Sequence, residues 1–319
     1  MEKAINGIHH ITVMASDPQA NYDFYVDVLG MRFIKKTVNY DAPDVYHLYY
    51  ADEIGTPGTV LTFFPFPDAK RGKRGTGEIS VVSFSVPSTS LNYWINRLAG
   101  MAIDFNGPSQ KFVYEYITLQ DPDGMIIEIV ADPTVDKIMG WNNGDVPSDH
   151  SIRKFFGVTF YLRSVIKSEE LLANVMGAQL IGTEGNIKRY SFGNEVSEAF
   201  VDLYEDANTQ RGTSGAGTVH HIAWRTENDD EQNNWRNKVI EHGLYPTEMV
   251  DRNYFHSIYF REPGGILYEI ATDGSGFMVD ESFDSLGTEL KLPPWHEPKR
   301  KLIEQILIPL RTKSFVKQN

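Results

Sequence analysis

The chain has 319 residues, no cysteine and a formal net charge of -13. Without thiols it can hold no disulfide, thiolate metal site, iron–sulfur cluster or cysteine nucleophile, so any metal must sit on nitrogen and oxygen donors. The acidic balance argues against nucleic acid or anionic lipid as a partner, because cationic surfaces bind both.

In chain order, the first ten residues lack the apolar core of a signal peptide, and no apolar run of about 18 residues follows, so a cytoplasmic protein with no membrane partner is expected. Gly7-Ile8-His9-His10-Ile11-Thr12-Val13 reads as a strand. Residues 18–29 carry Tyr22, Tyr25, Val26 and Leu29 at helical spacing, and Gly30 suits the left-handed position past a helix end. Residues 45–50 and 59–64 are β-branched and aromatic, separated by Gly55-Thr56-Pro57-Gly58, a hairpin signal. A second unit runs from Ser80-Val81-Val82-Ser83 through Trp94 to Asp121-Pro122-Asp123-Gly124 and Glu128. Residues 132–149 are rich in Asp, Asn, Gly and Pro and read as a linker. A third unit carries Val158-Thr159-Phe160, Met176-Gly177 and Asp202. A fourth opens on Thr218-Val219-His220-His221-Ile222 and closes on Glu262-Pro263-Gly264-Gly265 and Glu269. Past Asp273 the pattern stops, leaving Pro293-Pro294 and a short helix over 301–308.

These units are repeats. Trp94 and Trp235 stand at the same distance before an acid-Pro-turn-strand-Glu segment ending in Glu128 and Glu269. The His9-His10 and His220-His221 openings also match. Strand, helix, then strands in each unit predicts an α+β fold of four βαβββ modules. The expected division is 1–135, holding modules 1 and 2, then 150–275, holding modules 3 and 4, then a tail over 276–319.

The two His-His pairs and Glu269 carry the chemistry. Successive strand side chains point to opposite faces, so each pair offers one inward ligand, with the choice between neighbours open. Two histidines and a carboxylate form the facial set of non-haem Fe(II) oxygenases. A lone strand histidine is usually core or surface; two pairs at equivalent repeat positions, one with a Glu, favour a metal. Glu269 lies among Ile266, Leu267, Tyr268, Ile270 and Ala271, where an unpaired carboxylate is costly. Glu128 has no histidine partner, and neither does Asp202, so modules 2 and 3 read as a decayed site.

The ordered set Ile8-His9-His10-Ile11-Thr12, Tyr46-His47-Leu48-Tyr49-Tyr50-Ala51-Asp52-Glu53, Gly55-Thr56-Pro57-Gly58, His220-His221, Asp251-Arg252-Asn253, Arg261-Glu262-Pro263-Gly264-Gly265 and Ser285-Leu286-Gly287 resembles the vicinal oxygen chelate superfamily of glyoxalase, bleomycin-resistance and extradiol dioxygenase proteins. Within it the chain is most similar to hydroquinone ring-cleaving dioxygenases. The resemblance implies two tandem domains with curved mixed β-sheets, and Fe(II) as cofactor, with Mn(II) also suited to the donors. It implies His10, His221 and Glu269 as metal ligands. His9, His220 and Thr12 fall beside them, and Arg252 and Tyr259 fall where the bound aromatic or oxygen would be contacted. Standing alone, Arg252 would read as a surface ion pair and Tyr259 as a core aromatic. The implied partners are a dihydroxybenzene and O₂; the sequence leaves a homo-oligomer open. Two rivals share the fold. A glyoxalase-type isomerase needs a fourth ligand, which strand 59–64 lacks. A binding protein of the drug-resistance kind would not need open metal positions.

Overall fold

The computed structural model describes residues 4–142, 144–194 and 197–313. Module 1 comprises β1 (Ile8–Ala15), α1 (Pro18–Asp23), β2 (Arg32–Asn39), β3 (Ala42–Ala51) and β4 (Val60–Pro65). Module 2 comprises β5 (Glu78–Val86), α2 (Leu91–Gly100), β6 (Phe105–Lys111), β7 (Tyr114–Gln120) and β8 (Ile126–Ala131). Module 3 comprises β9 (Lys154–Leu162), α3 (Ile166–Glu170), β10 (Gln179–Glu184), β11 (Ile187–Phe192) and β12 (Ala199–Glu205). Module 4 comprises β13 (Val219–Thr226), α4 (Asp229–Glu241), β14 (Val250–Asp251), β15 (His256–Arg261) and β16 (Leu267–Thr272). The tail ends in α5 (Arg300–Ile306).

The helix expected over 18–29 forms, with a change of winding. Asp17 caps α1 by accepting from the Gln19 and Ala20 amides, and Pro18 sits in its first turn. The chain continues as a π-helical turn, Phe24–Val28, before Gly30 takes φ 68°. Among the described residues, no helix is long and apolar enough to cross a membrane.

The strands form two curved, mixed, eight-stranded sheets, ordered β14-β15-β16-β13-β1-β4-β3-β2 and β10-β11-β12-β9-β5-β8-β7-β6. These sheets do not divide as the chain does: modules 1 and 4 build the first, modules 2 and 3 the second. The opening strands explain why. β1, β9 and most of β5 and β13 are buried along their length, so each needs a partner on both edges. Each pairs in parallel with the closing strand of its own module and antiparallel with an opening strand from the other half of the chain.

Both opening-strand junctions are irregular at the same places. The β1–β13 register slips between Ile8 and His10, making His9 an extra residue, and between Thr12 and Val13 opposite His221 and Val219, making His220 another. The β5–β9 junction repeats these slips at Ser80 and Phe156. Such bulges bend a strand and re-aim its side chains.

Candidate metal centre

Two cross-strand rows set the site. Tyr259, Glu269, Ala223 and His10 align across β15, β16, β13 and β1. Tyr49, Thr62, Thr12 and His221 align across β3, β4, β1 and β13. Aligned residues share a face, and residues two apart on a strand share it too. His10, His221 and Glu269 therefore converge on one concave face, and all three are buried.

Their donor atoms meet. The Nε2 atoms of His10 and His221 are 3.3 Å apart. Glu269 Oε2 lies 2.9 Å from His221 Nε2 and 3.4 Å from His10 Nε2. Donors spaced by about 3 Å are what bonds of about 2.1 Å at right angles to a common ion produce. Oε2 makes no hydrogen bond of acceptable geometry in spite of full burial, while Oε1 accepts one from Ser257. Burial works to raise the Glu269 pKa, but His10 and His221 outweigh it and hold the carboxylate well below its ordinary range. Burial pushes His221 down, against the pull of Glu269. An ionised carboxylate beside an imidazole, His221, whose pKa burial lowers suits a divalent cation, so these residues fit the metal that the donor set implies.

The other histidine of each pair backs its neighbour. His9 Nδ1 lies 2.9 Å from His10 Nδ1, and His220 Nδ1 lies 2.8 Å from His221 Nδ1. The bulges permit this: plain alternation would send His9 and His220 to the opposite face. With Nδ1 engaged, each ligand histidine turns Nε2 to the shared point. Desolvation, then the neighbouring His10, keeps His9 well below its ordinary pKa, so it stays neutral. Phe255 packs over both His9 and His10, with ring centroids 5.0 Å from each.

The triad opens into a cavity of about 900 Å³. Arg252 and Tyr259 line it together, Arg252 Nε donating to the tyrosine oxygen at 2.9 Å. Burial lowers the Arg252 pKa, yet Tyr259 and Glu269 raise it further, so it stays charged; burial likewise keeps Tyr259 protonated. Asp41, on the surface, is 3.5 Å from the Arg252 guanidinium, so the ion pair that Arg252 alone would suggest is present but loose. Thr12 is fully buried beside His221 and meets Thr62 Oγ1 at 2.8 Å.

Sequence reasoning passed over a second polar group. His47 Nε2 lies 2.8 Å from Thr62 Oγ1, and His47 Nδ1 lies 2.8 Å from the Tyr49 hydroxyl. With Thr12 these form a chain along the β3 side of the cavity. Their alternate positions on one strand were the available signal. Thr62 also stands at the corner from which a fourth ligand would come.

The second sheet holds the same rows with different residues. Glu128 takes the place of Glu269, while Gly157 and Val81 take those of His10 and His221. Asp202 replaces Thr62, Arg189 replaces Tyr49, and Lys111 replaces Arg252. Lys111 Nζ sits 3.1 Å from both Glu128 and Asp202, and Arg189 pairs with Asp202 through two bonds of 2.7 and 2.8 Å. Protein cations thus occupy in the second sheet the position on which His10, His221 and Glu269 converge in the first.

This fold and donor set define a class, and the sequence agrees: the chain belongs to the glyoxalase/bleomycin resistance protein/dioxygenase superfamily, whose family model matches residues 7–129. MhqO of Bacillus subtilis, provisionally named a ring-cleaving dioxygenase, is 42% identical over 315 residues, spanning 99% of this chain and 100% of its own. The chlorohydroquinone/hydroquinone 1,2-dioxygenase of Sphingobium indicum is 37% identical over 302 residues, 92% of this chain and 93% of its own. A crystal structure of a provisionally named Bacillus subtilis dioxygenase superposes with a TM-score of 0.93 at 41% identity, covering 98% of this chain and 100% of that one. Glyoxalase I of Zea mays gives a TM-score of 0.62 at 12% identity, covering 84% of this chain and 92% of that one, a likeness of fold alone.

Proposed function

We propose that the protein is an Fe(II)-dependent dioxygenase that opens a hydroquinone-type ring, with His10, His221 and Glu269 as the metal ligands. The observation that carries this reading is the buried triad of three donors, with no fourth among the described residues. Thr62, at the remaining corner, is already bonded to Thr12 and His47, which disfavours the four-ligand isomerase. The relatives named for ring cleavage, one for hydroquinones, point the same way. Mn(II) suits the same donors.

When bound, the metal supplies Lewis acidity to a phenolic oxygen and brings both reactants to one place. The chain's own groups do the rest. His9 and His220 fix the tautomer and angle of the ligand imidazoles. Arg252, oriented by Tyr259, places positive charge where oxygen gains negative charge as the ring is attacked. Phe255, with Phe64 and Phe66, lines the cavity and shields the reacting carbons from water. In the overall reaction, the bond beside a hydroxylated ring carbon breaks and both atoms of O₂ enter the product.

The test is O₂ uptake by anaerobically Fe(II)-reconstituted protein with methylhydroquinone, followed in the ultraviolet. Uptake with a new ring-opened band supports the reading. No uptake across hydroquinones and catechols, with iron bound, overturns it.

A further inference from the structure

The cavity is far larger than one ring needs: about 900 Å³, a size that houses ligands of drug-like bulk. Its outer part is cationic. Arg211 and Arg261 both line it, although the chain as a whole carries a net charge of -13. Both arginines converge on Gly265. Arg261 donates to the Gly265 carbonyl at 2.9 Å, and a Cβ on Gly265 would collide with the Arg211 guanidinium. Gly265, at φ +104°, thus leaves the space that Arg211 occupies, and Gly77 flanks the same side chain.

The matching turn of module 2 shows what such arginines do when they serve the fold. There Arg71 donates to the Pro122 carbonyl at 2.7 Å and Arg74 donates to the Gly124 carbonyl. Arg211 makes no hydrogen bond or ion pair with any described residue, and Arg261 makes none with a carboxylate. Glu78, which also lines the cavity, is half-buried and accepts from the Gly75 amide at 3.0 Å. Asp41 lies beside Arg252 instead.

We propose that Arg211 and Arg261 form an anion subsite at the mouth of the cavity, so that the preferred substrate is a 1,4-dihydroxybenzene carrying an anionic side chain, such as a carboxylate. This rests on the proposed ring-cleaving function and extends it. The diol end of the molecule lies at the triad, and the carboxylate lies against the two guanidinium groups, which no carboxylate pairs among the described residues.

Steady-state O₂ uptake with methylhydroquinone, 2,5-dihydroxyphenylacetate and 3-(2,5-dihydroxyphenyl)propanoate tests it, alongside anaerobic calorimetric titration of the same compounds. The expected result is a kcat/KM at least about tenfold higher for an anionic compound, set through KM, and weakened by added salt. Arg211→Gln and Arg261→Gln should each move the anionic-to-neutral ratio towards one. Equal kcat/KM for neutral and anionic compounds, or a ratio untouched by both substitutions, overturns the subsite. If nothing turns over but the anionic compounds bind in an arginine-dependent way, ring cleavage falls and the subsite stands.

Discussion

Replacing Lys111 with Met keeps most of the side-chain stem but removes the ammonium that two carboxylates share. The groups are little exposed, with side chains 11% accessible for Lys111, 7% for Glu128 and 3% for Asp202. Removing one member of a buried ion pair costs about 3–5 kcal/mol, because a charge is stranded. Asp202 keeps both bonds from Arg189, and Glu128 keeps the Ser83 hydroxyl at 2.6 Å, so the loss should fall at the low end, about 3 kcal/mol. Urea denaturation of wild type and variant reads this as a lower midpoint at unchanged slope. Adding Glu128→Gln should recover part of the loss, since one stranded charge disappears. Iron content and O₂ uptake should stay near wild type, because this cluster belongs to the other sheet. A midpoint shift worth less than about 1 kcal/mol, or loss of iron, would refute the view that a protein cation occupies the metal-equivalent position.

Glu269→Ala should abolish iron retention while far-ultraviolet circular dichroism remains native; normal iron content would remove Glu269 from the ligand set. Arg252→Ala should leave iron in place and lower kcat by about 10–1,000-fold, the range for losing one oxyanion-stabilising donor; unchanged kinetics would return Arg252 to its loose pairing with Asp41. Asp121 supplies a pH test away from the metal. Burial, followed by nearby Asp123, raises its pKa to about 6, although the Met125 amide and Tyr25 hydroxyl pull it down. A carboxyl raised on folding is a cost above that value and stabilises the fold as pH falls through about 6 towards its unfolded pKa, by about 3 kcal/mol in total. Asp121→Asn should therefore gain stability over wild type at about pH 7.5 and keep only about half of that advantage at about pH 5. Parallel denaturation midpoints at both pH values would count against it.

Much of this architecture was legible in the residues. The Trp94 and Trp235 repeats exposed the modules, and the paired His-His openings with Glu269 exposed the candidate donors, because repeat position acts locally, while the choice of His10 and His221 within the pairs came from the family resemblance. Strand partnership was less so. Whether β1 would lie beside a strand of module 2 or of module 4 depends on which buried edges meet, and no local pattern states that. Alternation also misjudged His9 and His220, since a bulge is a property of two strands in register rather than of either sequence. His47 and Tyr49 sat in a motif noticed for its resemblance, and only the β3–β4 pairing brings them to Thr62. Lys111 gave no signal at all, because its partners come from β8 and β12.

Joining the first module to the last has a consequence for how the molecule is made. His10 and His221 are separated by 211 residues, and Glu269 comes later still, so the triad cannot assemble until β16 has left the ribosome. Until β13 is available, β1 presents an open strand edge with two adjacent histidines, and β5 awaits β9 in the same way. Such long-range pairing is slow, and the waiting edges are exposed to wrong partners in the meantime. Closing the triad is therefore a late step of folding: a chain cut short before β16 lacks Glu269 and cannot complete it.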